Sequence, residues 1–272
     1  MTVLLATGAD RGYLRPRGCY GSFGGALYRP RFDQWLARTR PGVARIWISS
    51  GGVTGPIGED RDNQPPGVMF EQLKRTGYSA VGLDYFDLSL FGPRALQASA
   101  ARVGLELLTS NLRILETGRP LGRDSLILDS PSGKIGLVAV MTHRPDEYWG
   151  DPGSGTILTF EPVAALRPIV ASLRRQVRQV VLLSSLGKVE LGELLREVPG
   201  IDLVFATQGT VEDVAPERLH TVPVLWLGHA GRVLGRVALD DAGHVLEAQG
   251  VWVRDAFPID PLSGEARGED LH

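Results

Sequence analysis

Short apolar runs separated by stretches of helical spacing recur through most of the chain, and this alternation predicts a strand–helix–strand order. The first run, Val3 to Ala6, enters Thr7-Gly8-Ala9-Asp10-Arg11-Gly12-Tyr13-Leu14, which has the form of a strand opening into a loop. Helical spacing is found near Tyr28 to Arg38, over Val68 to Thr76 with Gly77 as its stop, and over Pro93 to Val103 with proline in the first turn. It returns over Pro162 to Val177 and Leu191 to Val198. Strands are predicted at Arg45 to Ser49, Ser79 to Leu83, Leu105 to Leu108, Gln179 to Leu183 and Ile201 to Phe205. Between Ser125 and Val140 two strands flank the turn Ser130-Pro131-Ser132-Gly133. Three more strands follow at Val222 to Leu227, Val233 to Leu239 and Val245 to Val253, the last two joined by a turn at Asp241-Ala242-Gly243. Such an order predicts an α/β sandwich with mixed sheets, its strand ends gathered on one edge where ligands of these folds bind.

The segments between the elements add detail. Gly18 to Gly25, with Cys19, reads as a sharply bending loop; it lacks the Gly-Lys-Ser/Thr ending of a phosphate-binding loop. Gly55 to Gly67 reads as a polar surface loop, and Asp84-Tyr85-Phe86-Asp87 as an acidic, aromatic exit from a strand. Thr142 to Gly155 reads as a loop whose Tyr148 and Trp149 pack back onto the protein, and the residues after Pro258 as a loose tail.

Composition narrows the function classes. A chain of 272 residues with 43% apolar and 22% charged residues can bury a sizeable core, and a single domain over 1–257 with a tail over 258–272 is expected. A formal net charge of −2 gives no electrostatic footprint for nucleic acid. Cys19 as the one cysteine excludes an intramolecular disulfide and thiolate-cluster metal sites. No apolar run approaches membrane-spanning length and no leader-like segment precedes the first strand, so a soluble cytoplasmic protein is expected, a trimmed export leader being the alternative.

Taken in order, the strand-end loops resemble those of the calcineurin-like metallophosphoesterases, specifically the amino-terminal domain of the 5′-nucleotidase group. That family carries Asn-Asp-x-His-Gly after strand one, an Ala-Gly-Asp turn, a Gly-Asn-His-Glu/Asp loop, a Ser-His-Leu-Gly corner and a Gly-His-Thr-His loop. Here Thr7 and Gly12-Tyr13-Leu14 bracket the first loop, Cys19 with Gly24-Gly25 matches a glycine-rich segment, and Gly51 sits in the second loop. Ala80-Val81-Gly82-Leu83 leads into the third, and Ser110-Asn111-Leu112 and Lys134-Ile135-Gly136 match further segments. Ser184 and Leu186-Gly187 bracket the fourth, Pro199-Gly200-Ile201-Asp202 opens the fifth, and Leu234-Gly235-Arg236 fits the closing strand. The resemblance implies a four-layer sandwich of two mixed β-sheets flanked by helices.

It also implies that every metal-ligand position is substituted. Ala9 and Arg11 stand at the first-loop aspartate and histidine, Gly52 at the bridging aspartate, Tyr85 at the ligand asparagine, and Phe86 at the histidine that would face the phosphoryl group. Ser185, Gln208 and Thr210 stand at three histidine ligands. Two-metal hydrolysis needs a bridging carboxylate and a set of imidazole and oxygen ligands, which these residue types do not supply. The expectation is therefore a pseudoenzyme without cofactor, binding a protein partner or a small anionic ligand. In it Arg11 either replaces the metal charge, pairing with Asp84 or Asp87 and bonding Gln208 or Tyr85, or simply points into solvent. The alternative is a hydrolase with a rebuilt Mg²⁺ or Mn²⁺ site from Asp10, Asp84, Asp87 and Gln208. His229, in the closing region, reads as a structural histidine with its hydrogen bonds satisfied.

Overall fold

A computed structural model describes residues 1–15, 24–55, 64–144, 148–151, 155–208 and 214–253. Cys19, Thr210, most of the Gly18 to Gly25 and Gly55 to Gly67 loops, the side chains of Tyr148 and Trp149, and the expected tail lie outside the described residues.

Along the chain come β1 (Thr2–Thr7), α1 (Arg29–Thr39), β2 (Ala44–Ser49), α2 (Pro66–Thr76), β3 (Tyr78–Gly82), α3 (Tyr85–Val103) and β4 (Glu106–Leu108). Then follow β5 (Leu112–Ile114), β6 (Leu126–Leu128), β7 (Ile135–Val140), β8 (Tyr148–Asp151), β9 (Gly155–Thr159) and α4 (Pro162–Leu173). The remaining elements are β10 (Gln179–Ser184), α5 (Lys188–Glu197), β11 (Leu203–Ala206), β12 (Glu217–Leu219), β13 (Val222–Trp226), β14 (Val233–Leu239) and β15 (Val245–Trp252).

Two six-stranded sheets result, one ordered β15-β14-β1-β2-β3-β4 and the other β12-β13-β11-β10-β7-β6. β1 to β4 run parallel, whereas β14 pairs antiparallel with β1, Thr2 opposite Leu239. In the second sheet β7, β10, β11 and β13 are parallel and the edge strands β6 and β12 antiparallel. Alternation along the strands explains the layering, because period-two side chains serve opposite faces. Leu4, Ala6, Ile46 and Ile48 meet Leu137, Val181, Leu183 and Phe205 between the sheets. Val3, Leu5 and Trp47 face outward onto Phe32, Phe70 and Leu88 of the helices α1 to α3. On the far side Val138, Val180 and Leu182 pack on Leu166, Val170, Leu191 and Leu194 of α4 and α5. The order is thus helix, sheet, sheet, helix, a mixed α/β architecture with two large mixed sheets.

Several elements differ from the sequence reading, among them α3, β8 and α4. α3 begins at Tyr85 rather than Pro93: Asp84 and Asp87 form a reciprocal capping box, and Gly92, at φ of 70°, kinks the helix just before Pro93. The Asp84 to Asp87 stretch is therefore a helix start. The Thr142 to Gly155 stretch contains β8, which pairs with β9 and β5 in a small third sheet. α4 ends at Leu173, four residues before Val177, where Gln176 N donates to Leu173 O at 2.8 Å and the chain tightens out of the α-helix.

Candidate functional site

The carboxyl ends of β1, β2 and β3 feed three loops that interlock. Ala9 N donates to Gly51 O at 2.9 Å, Arg11 N to Gly52 O at 2.8 Å and Gly12 N to Val53 O at 2.9 Å. This ladder holds Ala9 and Arg11 at φ of 49° and 54°, a left-handed conformation that costs a side-chain-bearing residue about 1–2 kcal/mol. The second sheet joins the same edge. Ser50 Oγ donates to Phe205 O at 3.0 Å, and a Cβ on Gly8 would lie only 2.6 Å from Thr207 Cγ2.

Within this edge Arg11 Nη1 donates to Asp84 Oδ2 at 2.7 Å, and its guanidinium stacks over the Phe86 ring, 4.2 Å from the centroid. Asp84 is buried and Arg11 mostly so. Gly52 borders the pair: a Cβ there would lie 2.8 Å from Asp84 Oδ2 and 3.1 Å from Arg11 Nη1, at φ of 66°. Asp87 is held apart from Arg11. Its carboxylate accepts from Gly52 N at 2.8 Å, Thr54 N at 2.8 Å, Thr54 Oγ1 at 2.7 Å and Asp84 N at 3.1 Å. Burial, then the neighbouring Asp84 charge, push the Asp87 carboxyl up to about 7 against these donors.

Asp10 belongs to a different pair. Both its oxygens accept from Arg29 of α1, Oδ2 from Nη1 at 2.9 Å and Oδ1 from Nη2, in a bidentate contact with Asp10 at 0% and Arg29 at 2% exposure. Asp10 keeps Arg29 charged despite the burial that opposes it. Tyr78, which shares a 2.7 Å hydrogen bond with Thr7 Oγ1, flanks this pair, and burial pushes its phenol up. Arg29 was not singled out in the sequence; it lies nineteen positions from Asp10, on another element.

On the second sheet, Ser185 is buried after β10, its N–H donating to Val140 O at 3.0 Å, and Gln208 is exposed after β11. Buried Thr207 has an Oγ1 without a hydrogen bond among the described residues. Among the described residues Gln208 makes no hydrogen bond to Arg11, and Tyr85 lies under Arg144, 4.2 Å from its guanidinium carbon, and edge-on to Phe86. His229 departs from the structural role read for it. It is exposed on the turn between β13 and β14, with no side-chain hydrogen bond among the described residues. Partial burial of the ring and the charges of Arg11 and Arg232 hold it below the usual histidine range.

Comparison with solved structures settles the architecture. A 5′-nucleotidase precursor from Thermus thermophilus superposes with a TM-score of 0.75 at 18% identity, over 93% of this chain and 54% of that one. The sulfate thiohydrolase SoxB of the same organism gives 0.74 at 17% identity, over 93% of this chain and 56% of that one. A calcineurin-like phosphoesterase from Bacillus subtilis gives 0.65 at 12% identity, over 93% and 90%. The chain has the calcineurin-like phosphoesterase fold. It spans little more than half the length of the first two of these proteins. No protein-family model and no curated protein matches the sequence.

In this phosphoesterase fold the strand-end loops are the places from which side chains can converge on a ligand. Among the described residues no group of three or more His, Cys, Asp or Glu side chains is placed to hold a metal ion. The loop carboxylates Asp10, Asp84 and Asp87 each accept from protein donors. No helix among the described residues is long and apolar enough to cross a membrane.

Proposed function

We propose that this chain is a catalytically inactive phosphoesterase-fold protein that works by binding, without a resident metal, through the edge built from the β1, β2 and β3 loops. The observation that carries the reading is the Arg11–Asp84 pair at 2.7 Å, seated against Gly52. A guanidinium there supplies fixed positive charge where a hydrolytic centre would need divalent cations. The donor set does not fit a dinuclear metal site: Ala9, Gly52 and Phe86 offer no ligand, and the nearby carboxylates point their oxygens at Arg29, Arg11 and backbone amides. A rebuilt site from Asp10, Asp84, Asp87 and Gln208 would first have to break both ion pairs.

Two measurements on the purified protein test this. After exhaustive dialysis, elemental analysis is expected to find no stoichiometric divalent metal. An aryl phosphate with added Mn²⁺, Zn²⁺ or Mg²⁺ is expected to show no turnover above a protein-free control. A retained metal, or turnover that vanishes in a protein carrying Asp84→Ala and Asp87→Ala, would overturn the reading in favour of the rebuilt site.

A further inference from the structure

His229 and Arg232 of this edge reach solvent, whereas its carboxylates are buried. Asp10, Asp84 and Asp87 are buried and saturated, whereas His229 is exposed and Arg232 half-buried. The turn that carries the latter two is fixed onto the Arg11 loop, Ala230 N donating to Ala9 O at 2.7 Å, and is closed on itself by Arg232 N donating to His229 O at 3.3 Å. Gly231, at φ of 62°, leaves no room for a side chain, since a Cβ would lie 2.5 Å from Arg29 Nη2. The turn therefore rests directly on the buried Asp10–Arg29 pair. Arg232 has no carboxylate partner among the described residues, and its Nε is buried without a hydrogen bond.

An apolar strip adjoins these cations. Phe86, under Arg11, is 44% exposed, and Leu90, one helical turn further along α3, is 40% exposed. Residues four apart share a helix face, so Phe86 and Leu90 continue one surface outward from Arg11. A small inorganic anion would use the cations and leave this strip uncovered. A peptide carrying acidic and apolar side chains would use both.

We propose that Arg232, His229 and Arg11, with Phe86 and Leu90 beside them, form a docking surface for an acidic, apolar peptide segment of a protein partner. In this arrangement a carboxylate of the peptide seats against Arg232 and His229, where guanidinium–carboxylate geometry is favourable, and an apolar neighbour covers Phe86. The ring of His229 feels burial and two cations, so a bound carboxylate relieves the repulsion and favours its protonated form. The inference rests on the metal-free binding role proposed above, because metals at the strand ends would recruit the same carboxylates.

The test uses the full chain and fluorescent synthetic peptides of about ten residues: one alternating glutamate and leucine, one with lysine for glutamate, and one with serine for leucine. Anisotropy is expected to show binding of the glutamate–leucine peptide, none of the lysine version, and at least about tenfold weaker binding of the serine version. R232Q and F86S should each weaken the first peptide about fivefold or more, with unchanged melting temperatures, and H229N repeats the test at an exposed turn position. Equal affinity for the glutamate–leucine and glutamate–serine peptides would mean a simple anion site, and no binding, or binding unchanged in all three variants, would mean no site; either result overturns the proposal. Repeating the titration in chelator separates the two readings: binding lost only in chelator overturns the metal-free role, whereas absent binding in both buffers overturns the docking surface alone.

Discussion

Arg11 Nη1 and Asp84 Oδ2 lie 2.7 Å apart in the space a side chain at Gly52 would occupy, so the three positions depend on one another. Arg11→Ala should leave the Asp84 carboxylate buried without its cation and lower stability by about 2 to 4 kcal/mol, somewhat below a fully buried pair because Arg11 keeps some solvent contact. Adding Asp84→Asn to that variant should recover part of the loss. Urea denaturation of the single and double variants measures the coupling, and additive losses would show that the pair is not energetically linked.

Restoring an acidic residue at the bridging position should fail as a repair. In Gly52→Asp the new Cβ meets Asp84 Oδ2 at 2.8 Å and Ala9 Cα at 2.9 Å, on a backbone at φ of 66°. A loss of about 2 kcal/mol or more is expected, with no gain in Mn²⁺ binding by calorimetry. Tight metal binding by this single variant would show that Arg11 yields easily.

The Asp10–Arg29 pair gives the larger penalty because both partners are fully buried. Arg29→Met should cost about 3 to 5 kcal/mol by stranding the Asp10 charge, and Asp10→Asn in the same protein should return much of it. Thermal melting of the three variants checks the order of stabilities.

A fourth prediction concerns pH. With its carboxyl raised to about 7, folded Asp87 holds its proton more tightly than the unfolded chain does, so its burial penalty is fully present above pH 7 and relaxes as pH falls. Stability of the wild type relative to Asp87→Asn should therefore rise by about 1 kcal/mol between about pH 8.5 and about pH 6. Taking the difference cancels His229, whose lowered value acts oppositely: its contribution is lost as pH falls below the usual histidine range. A flat difference across that window would place the Asp87 proton elsewhere.

The main strands and helices were legible because period-two and period-3.6 patterns report burial directly, whereas the four-layer order came from the resemblance of the strand-end loops. The start of α3 was not. Gly92-Pro93 has the look of a helix start, and Asp84 with Asp87 looked like a polar exit until the reciprocal cap showed why both aspartates are there. β8 was hidden because its residues sit among glycine, proline and aspartate, and only pairing with β9 makes them a strand. Of the site, the proximity of Arg11 to Asp84 could be proposed from the order of strand-end loops. Arg29, His229 and Arg232 could not be placed this way, since their roles arise from a helix face and a turn that reach the edge from distant parts of the chain.

The pairing of β1 with β14 sets the order in which this protein can be finished. Thr2 lies opposite Leu239, so one flank of the first strand stays bare until a segment more than two hundred residues downstream arrives. On a ribosome, β2 can join β1 early, but the sheet remains open beside Val3 and Leu5 through most of synthesis. Closing so long a loop makes folding slow and leaves an exposed apolar edge for other chains to pair with. Substitutions in Val233–Leu239 should therefore raise aggregation during expression more than their effect on the finished fold would suggest.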